Sequence, residues 1–437
     1  MKFSVAGYVS DFPMTLSVMS GKFSLRAVVL LVMFLSLQAV SAQDDMMTEA
    51  EDAPGTDTLY AGSAVCDSVC AWPLNVQQRI DRLLEDEMFL TSQVGLLVYD
   101  LTADSVIYGY NEKQLMRPAS TMKVLTAIAA IDRLGGSYRF KTSLYYTGTV
   151  DRNVLDGDVY CVGGFDPCFN GDDMSAFVES IRRMGIDTIR GGVFADKTMK
   201  DSDKFGEGWC WDDDNPVLSP LLISRRDVFA GRFIAGLRNA GIVVGDSCSE
   251  GAVPAGAFQI CVRTHTIDQI LMGMMKDSDN LYAEAMLYQI AASTGARPAK
   301  VSHARDIIKR LIGKAGAGPS CKIADGSGLS LYNYVSPEIE VALLRYAYRN
   351  SNIYLHIYPS MPVAGHDGTL RRRMKGSFTE GNVHAKTGTL TGISSLAGYC
   401  TAPNGHVLCF SIINQGLMQG RAGRNFQDRV CTALCMP

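Results

Sequence analysis

The sequence predicts an α/β (α+β) protein in which a smaller α/β domain is inserted into a larger one. Three observations predict it. A helix pattern followed by a strand pair opens the ordered part, short strand-like and helical runs alternate in the middle, and helices followed by strands return at the end. We therefore expect a main domain over 73–140 and 266–437 and an inserted domain over 141–265.

In the first segment, apolar spacing and turn residues place Ser120 at the start of a helix. The predicted elements there are a helix over 75–89, strands over 93–100 and 105–110, and a helix over 121–134 that ends at Gly135.

The middle and last segments differ in the order of their predicted strands and helices. In the middle we expect strands over 142–148, 158–163, 191–195 and 258–263, with helices over 174–184 and 228–240. In the last segment we expect helices over 267–275 and 280–292, strands over 381–386, 394–401 and 406–413, and a helix over 423–434.

The composition is that of a globular protein, with 437 residues, 47% hydrophobic residues and a net charge of -4. Without a long basic run, a nucleic-acid partner has no electrostatic support. Histidines and cysteines do not occur at zinc-ligand spacing, and we expect no metal and no cofactor.

The N-terminus has the pattern of a secretory signal peptide over 1–42. Lys22 and Arg26 precede an apolar run that is too short to span a bilayer, and small residues at 40–42 offer a cleavage site. An acidic, flexible lead-in is expected over 43–72. The pattern predicts export across the inner membrane to the periplasm, without a stable membrane span in the mature chain.

Export would permit disulfides among the twelve cysteines. If Asn404-Gly405 forms a two-residue hairpin turn, Cys400 lies opposite Cys409, either bridged to it or only packed beside it. Cys66 with Cys70 and Cys431 with Cys435 are expected to be local disulfides or packed thiols.

Three short motifs occur in order along the chain, and each is weak when it is taken alone. Together they are typical of penicillin-binding proteins and class A β-lactamases. The motifs are Ser120-Thr121-Met122-Lys123, Ser278-Asp279-Asn280 and Lys386-Thr387-Gly388.

The first motif predicts a serine nucleophile with a lysine base. Lys123 lies one helical turn after Ser120, so its amine can reach the Ser120 hydroxyl. Burial and a second cation, Lys386, would both favour the neutral amine that a base requires. Ser278 is placed to relay a proton to the leaving amine, and Asn280 to hold either the substrate amide or Lys123.

The third motif predicts a binding edge for an extended peptide. On an edge strand, Lys386, Thr387 and Gly388 could pair with a peptide main chain. Thr387 and Thr389, with Lys386, suit the free carboxylate of a terminal D-alanine. Backbone N–H groups of Ser120 and Thr389 would form an oxyanion hole.

A Ser-His-Asp triad is the natural competitor for this chemistry. The sequence has no Gly-x-Ser-x-Gly elbow, and its six histidines stand in no suggestive context. His366 and His384 lie near the third motif, where surface or supporting roles fit them better than catalysis.

The sequence resembles the D-alanyl-D-alanine carboxypeptidase/endopeptidase family of penicillin-binding protein 4 type (low-molecular-mass class C) from about Val94 to its C-terminus. The blocks that carry the resemblance are 117–123, 163–167, Trp209 with Trp211-Asp212-Asp213, 278–284, 325–330, 362–370 and 385–389.

The resemblance implies a β-lactamase/transpeptidase-like domain, with an antiparallel sheet between helices and extra domains inserted between the first two motifs. It implies a serine D,D-peptidase that acts on peptidoglycan stem peptides, with β-lactam antibiotics as acylating inhibitors. Asp196 matches the family aspartate that reaches from the insert toward the amino group of the stem-peptide side chain.

The chain departs from the family pattern in two places. The interval from Ser120 to Ser278 is short for the family, which indicates a missing or reduced inserted subdomain. Leu331 stands where relatives often place an arginine that clamps the stem-peptide carboxylate; Tyr332, Tyr334 or Arg371 are candidates to replace it.

Two rival functions use the same motifs. A β-lactamase needs a carboxylate that activates water for deacylation, and no Glu-x-x-Leu-Asn segment lies between Asn280 and Lys386. A non-catalytic β-lactam-binding or cell-wall-binding protein would not need the complete set of catalytic residues that the chain retains.

Overall fold

The computed structural model describes residues 71–210, 215–376 and 378–437. The predicted signal peptide, nearly all of the lead-in, Cys66, Cys70 and the block Trp211-Asp212-Asp213 lie outside the described residues.

The helices are numbered here in chain order. They are α1 (Leu74–Leu84), α2 (Met122–Leu134), α3 (Gly171–Arg183), α4 (Phe229–Asn239), α5 (Ile267–Lys276), α6 (Asn280–Ala292), α7 (Val301–Lys314), α8 (Pro337–Arg349), α9 (Ser351–Ser360) and α10 (Gly420–Cys435). Within the described part of the chain, no helix is both long and apolar enough to cross a bilayer.

The strands are likewise numbered in chain order. They are β1 (Gln93–Asp100), β2 (Ser105–Tyr110), β3 (Arg139–Tyr146), β4 (Thr149–Asp151), β5 (Val154–Asp156), β6 (Val159–Val162), β7 (Thr188–Ile189), β8 (Val193–Asp196), β9 (Cys248–Glu250), β10 (Phe258–Thr266), β11 (His384–Leu390), β12 (Ile393–Thr401) and β13 (Val407–Gln415).

The main sheet is antiparallel throughout, in the order β11-β12-β13-β1-β2, and helices cover both of its faces. Because side chains alternate along a strand, neighbouring residues of β13 serve different cores. Ile412 packs with Val76 and Phe426 of the terminal helices, whereas Ile413 packs with Ile128 and Leu343 of α2 and α8. The predicted sheet between helices is confirmed.

The segment of the chain from β3 to β10 forms two further sheets. The five strands of the larger sheet run in the order β10-β3-β6-β8-β9, parallel over β6, β8 and β9, and a three-stranded sheet of β4, β5 and β7 adjoins it in sequence. Phenylalanines of α3 and α4 help to fill a core of its own. Mixed sheets and helices fit the predicted inserted α/β domain, whose boundaries stay a prediction.

The predicted opposition of Cys400 and Cys409 is wrong. Cys400 pairs with Leu408, and Tyr399 pairs with Cys409, because the strands are joined by a loop longer than two residues. A shift of one position sends the two thiols to opposite faces of the sheet. Both are buried free thiols, and so are Cys431 and Cys435, one turn apart on α10.

Two further differences concern the last segment. The strand predicted over 381–386 runs instead over His384–Leu390, because residues before it form a turn that contains Gly381. The helices α7, α8 and α9 were not predicted. As a result, Lys386, Thr387 and Gly388 lie inside β11 rather than at its end.

Candidate active site

Ser120 lies at the entry to a buried helix. Ala119–Thr121 forms a short 3₁₀ turn that leads directly into α2, and Ala119 adopts a left-handed backbone with φ of 50°. The first ten residues of α2 are buried, which takes Lys123 into the interior while Ser120 stays partly exposed. The local fold therefore presents a hydroxyl to solvent and keeps the neighbouring amine dry.

Lys123 has three hydrogen-bond acceptors around its amine. Its Nζ lies 2.9 Å from Ser120 Oγ, 2.8 Å from Asn280 Oδ1 and 2.9 Å from the carbonyl oxygen of Ser327. A neutral amine has two N–H donors and one lone pair. Because the amide and carbonyl oxygens can only accept, the lone pair of a neutral Lys123 is left facing the Ser120 hydroxyl.

Burial also favours the neutral form of this amine. Lys123 is fully buried, and the loss of hydration lowers the pKa of Lys123 to about 8, against the opposing attraction of Asp325, Glu284 and Asp279. A base with a pKa near the working pH is suited to general base catalysis.

Lys386 connects the third motif to the second. Its Nζ donates to Ser278 Oγ at 2.8 Å and to the Thr387 carbonyl oxygen at 2.8 Å. Burial, and next the positive charge of Lys123, hold the pKa of Lys386 well below its usual value. Ser278 itself has a left-handed backbone with φ of 61°, which is uncommon for a residue other than glycine.

The second motif is fixed by a helix cap. The Asp279 carboxylate accepts from the backbone N–H groups of Leu281 and Tyr282 at the start of α6, and its other oxygen pairs with Arg225 at 2.6 Å. This cap orients Ser278 on one side of it and Asn280 on the other.

The third motif lies on an edge of the main sheet, as predicted, because within the described residues β11 pairs with β12 on one side and makes just an isolated bridge, from His384 to Val363, on the other. A Cβ atom at Gly388 would lie 2.1 Å from Ser395 Oγ, 2.8 Å from the Pro118 carbonyl oxygen and 2.9 Å from the Ser120 nitrogen. Only glycine therefore allows the strand to approach the nucleophile this closely.

The two threonines of the third motif differ in their surroundings. The Thr387 hydroxyl is nearly buried and lies 2.7 Å from the hydroxyl of Thr369, which follows a loop after α9. Thr389 is exposed at the surface of the strand. The sequence analysis gave Thr369 no role; this residue lies in the block 362–370 that contributes to the family resemblance.

The Asp196 carboxylate accepts all of its hydrogen bonds that the structure shows from residues of the inserted segment. One carboxylate oxygen accepts from the Thr198 backbone and hydroxyl at 2.9 and 2.6 Å, and the other accepts from the Val253 N–H at 2.9 Å. The side chain is buried, with 4% exposed. Hydrogen bonds do not link it to Ser120, Lys123 or Lys386 in the part of the chain that the structure describes.

A sharp turn after α7 supplies two features that sequence reasoning missed. The Ser327 carbonyl binds Lys123, and the turn itself is held by Asp325, whose oxygens accept from Gly328 N, Ser330 N, Asn333 Nδ2 and Trp209 Nε1 at 2.7–2.8 Å. The block 325–330 was recognised in the sequence, but the contact with Lys123 was not predictable, because every residue type has a backbone carbonyl.

Histidine-carboxylate pairs occur, but away from a serine nucleophile. The described residues contain His265 with Asp166, His356 with Asp268 and His406 with Asp100, all at 2.6–2.7 Å. Within the described ranges, no serine hydroxyl hydrogen-bonds to these imidazoles, and no cluster of three or more potential ligands could hold a metal ion.

The fold and the site define an active-site-serine peptidase with a transpeptidase-like fold. Over residues 76–223 and 223–434 the chain matches the D-Ala-D-Ala carboxypeptidase 3 (S13) family, and it belongs to that family, with a penicillin-binding protein 4 type of architecture.

Individual relatives agree with this assignment. A D-alanyl-D-alanine carboxypeptidase of Actinomadura sp. (strain R39) is 27% identical, over 86% of this chain and 87% of that protein. A carboxypeptidase of Mycobacterium tuberculosis is 31% identical, over 72% of this chain and 74% of that protein.

Solved structures show the same fold. Penicillin binding protein 4 from Haemophilus influenzae superposes with a TM-score of 0.74 at 24% identity, covering 80% of this chain and 97% of that one. The same protein complexed with a β-lactam gives a TM-score of 0.68 at 25% identity, covering 80% of this chain and 98% of that one.

Proposed function

We propose that this chain hydrolyses D-alanyl-D-alanine termini (carboxypeptidase) and D-alanyl cross-links (endopeptidase) of peptidoglycan through an acyl-enzyme on Ser120. The observation that carries the proposal is the buried Lys123 amine, 2.9 Å from Ser120 Oγ, with its other two positions taken by pure acceptors. The membership of the chain in the D-Ala-D-Ala carboxypeptidase 3 (S13) family supports the proposal that the bond cleaved is a D-alanyl peptide bond.

Acylation begins when Ser120 Oγ attacks the carbonyl carbon of the penultimate D-alanine while Lys123 takes the hydroxyl proton. Backbone N–H groups of Ser120 and Thr389 stabilise the negative charge on the carbonyl oxygen. The carbon–nitrogen bond then breaks, and the leaving amine receives a proton through Ser278, whose hydroxyl contacts Lys386.

Deacylation repeats the chemistry with water as the nucleophile. Water attacks the ester carbonyl, Lys123 again takes a proton, and Ser120 leaves with its proton restored. The product carries a new D-alanyl carboxylate. In the carboxypeptidase reaction the leaving amine is free D-alanine, and in the endopeptidase reaction it belongs to the neighbouring stem peptide.

The edge strand β11 binds the substrate in this proposal. The peptide adds to the strand at Thr387, Gly388 and Thr389, and the terminal carboxylate lies against Lys386 and the threonine hydroxyls. β-Lactams acylate the same serine; the β-lactam complex of the Haemophilus influenzae protein supports this. We place the reaction in the periplasm on the strength of the N-terminal leader pattern.

The purified chain, incubated with a pentapeptide that ends in D-Ala-D-Ala, should release D-alanine, and Ser120→Ala should abolish the release. A cross-linked dimeric muropeptide tests the endopeptidase reaction separately. Covalent penicillin labelling with neither activity would contradict the proposal, and rapid turnover of penicillin would favour a β-lactamase.

A further inference from the structure

Glu284 is a fully buried acid that lies one helical turn after Asn280 on α6. Residues at i and i+4 share a face of a helix. Asn280 contacts the Lys123 amine directly, and Glu284 contacts the turn whose Ser327 carbonyl binds the same amine. The two side chains thus support Lys123 from one face of α6.

The contacts of Glu284 with this turn are specific. Its Oε1 accepts from Ser327 N–H at 2.8 Å and from Gly326 N–H at 3.1 Å, and its Oε2 lies 3.3 Å from Gly326 N. The Ser327 carbonyl belongs to the next peptide group, whose Gly328 N–H donates to Asp325 Oδ1 at 2.8 Å. Glu284 and Asp325 therefore fix the turn from both sides of Ser327, and its carbonyl points at Lys123.

We propose that Glu284 is a positioning residue for the catalytic base: it anchors the turn that holds the Ser327 carbonyl against Lys123, and whenever its carboxyl is ionised the negative charge favours the protonated form of that amine. This inference rests on the proposed function, because it assigns a role within the same acylation step.

The charges around the two groups agree with this role. Burial, and next the negative charge of Asp325, raise the pKa of Glu284 to about 8, while burial lowers the pKa of Lys123 to about 8. Lys123 also faces Asp279 and Lys386. Burial therefore disfavours the charged form of both groups.

Glu284 also lines a crevice of about 220 Å³ on the side of the turn formed with α7, together with Asp325, Tyr288, Lys300 and Arg305. The acidic groups Asp201, Asp203 and Glu207 line the same crevice.

The test is the pH dependence of acylation by benzylpenicillin, measured as a second-order rate constant for the wild type and Glu284→Gln. Glutamine keeps an Oε1 that can accept from both N–H groups and removes the negative charge. Because acylation needs neutral Lys123, the wild-type rate should rise with pH toward about 8. In Glu284→Gln this rise should move to lower pH, by about 1 unit.

Glu340→Gln is the matched control. Glu340 is another fully buried acid of the same domain, on α8, and it contacts Ser411 and Thr121 instead of the 325–330 turn. Its variant should keep the wild-type pH profile. An unmoved profile in Glu284→Gln, with or without a uniform loss of rate, or a rise moved to higher pH, would overturn the inference. Absence of acylation in the wild type would instead defeat the proposed function.

Should Glu284→Gln fail to fold, carbon-13 NMR of the wild type labelled at the glutamate carboxyl carbons gives the answer, with Glu340→Gln used to assign the signal of Glu340. One further glutamate that titrates together with the acylation profile supports the inference. Titration of every other glutamate well below that range contradicts it.

Discussion

The Nζ of Lys386 lies 2.8 Å from the Oγ of Ser278, and this contact joins the edge strand of the main sheet to the turn that precedes α6. Lys386 in turn lies close enough to Lys123 for that positive charge to lower the pKa of Lys386. In the mechanism that we propose, proton transfer to the leaving amine depends on this contact.

Ser278→Ala should therefore slow acylation by a peptide substrate about 10²–10³-fold, since it removes the proton relay. The rate of D-alanine release in single turnover measures this. Ser180→Ala removes a hydroxyl that only bonds to the Ala176 carbonyl on α3, and it should leave the rate unchanged. Equal rates for Ser278→Ala and the wild type would exclude a relay through Ser278.

Gly388→Ala should both destabilise the protein, by about 1–3 kcal/mol, and suppress acylation. The added methyl would collide with Ser395 and with the backbone at Pro118 and Ser120. Gly313→Ala, in α7 with open space around the position, is the control and should not lower the melting temperature. Thermal unfolding and penicillin labelling check both effects; a fully active Gly388→Ala would refute the close approach of β11 to Ser120.

Glu340 gives a prediction about stability and pH. Burial raises the pKa of Glu340 from 4.5 to about 7. A raised pKa means that the folded state holds the proton more tightly, so this contribution is present at low pH and is lost as pH rises from about 4.5 through about 7. Relative to Glu340→Gln, the wild type should lose about 3 kcal/mol of unfolding free energy over that range.

Urea unfolding of both proteins at several pH values measures this difference. A constant difference between the wild type and Glu340→Gln from pH 4.5 to 7 would show that folding does not raise the pKa of Glu340.

Asp196→Asn separates a structural role from a substrate role. Because both oxygens accept hydrogen bonds from Thr198 and Val253, we expect a lower melting temperature and an unchanged KM ratio between substrates with and without a side-chain amine. Steady-state D-alanine release from the two peptides measures the ratio. A selective rise in KM for the amine-bearing peptide would restore the substrate role that the family resemblance implies.

Much of the site follows from side-chain identity. The three motifs together predicted a shared site, and the structure brings Ser120 and Asn280 within hydrogen-bond reach of Lys123. It likewise brings Ser278 within reach of Lys386. The hydrogen bond from Lys123 to the Ser327 carbonyl could not be predicted in this way, because it uses a main-chain oxygen. The turn that carries this oxygen is fixed by Glu284 of α6.

The fold shows a similar division. Strand patterns located β1, β2 and β12 to within a residue or so, whereas the pairing of Cys400 with Leu408 depended on the length of the loop 402–406, which a turn signal alone does not determine. The sequence of α7 does carry a helical period, because its buried residues recur at three- and four-residue spacing (Ala304, Ile307, Ile308, Leu311 and Ile312), so this helix was predictable and was missed. The short helix α9, with its aromatic residues and Pro359, has a much weaker period.

The most direct test of the acyl-enzyme is mass spectrometry of the chain after incubation with benzylpenicillin, followed by peptide mapping. The account predicts one penicilloyl adduct, located on Ser120 and absent from a folded Ser120→Ala variant. An adduct on a different residue, or continued D-alanine release by Ser120→Ala, would contradict it.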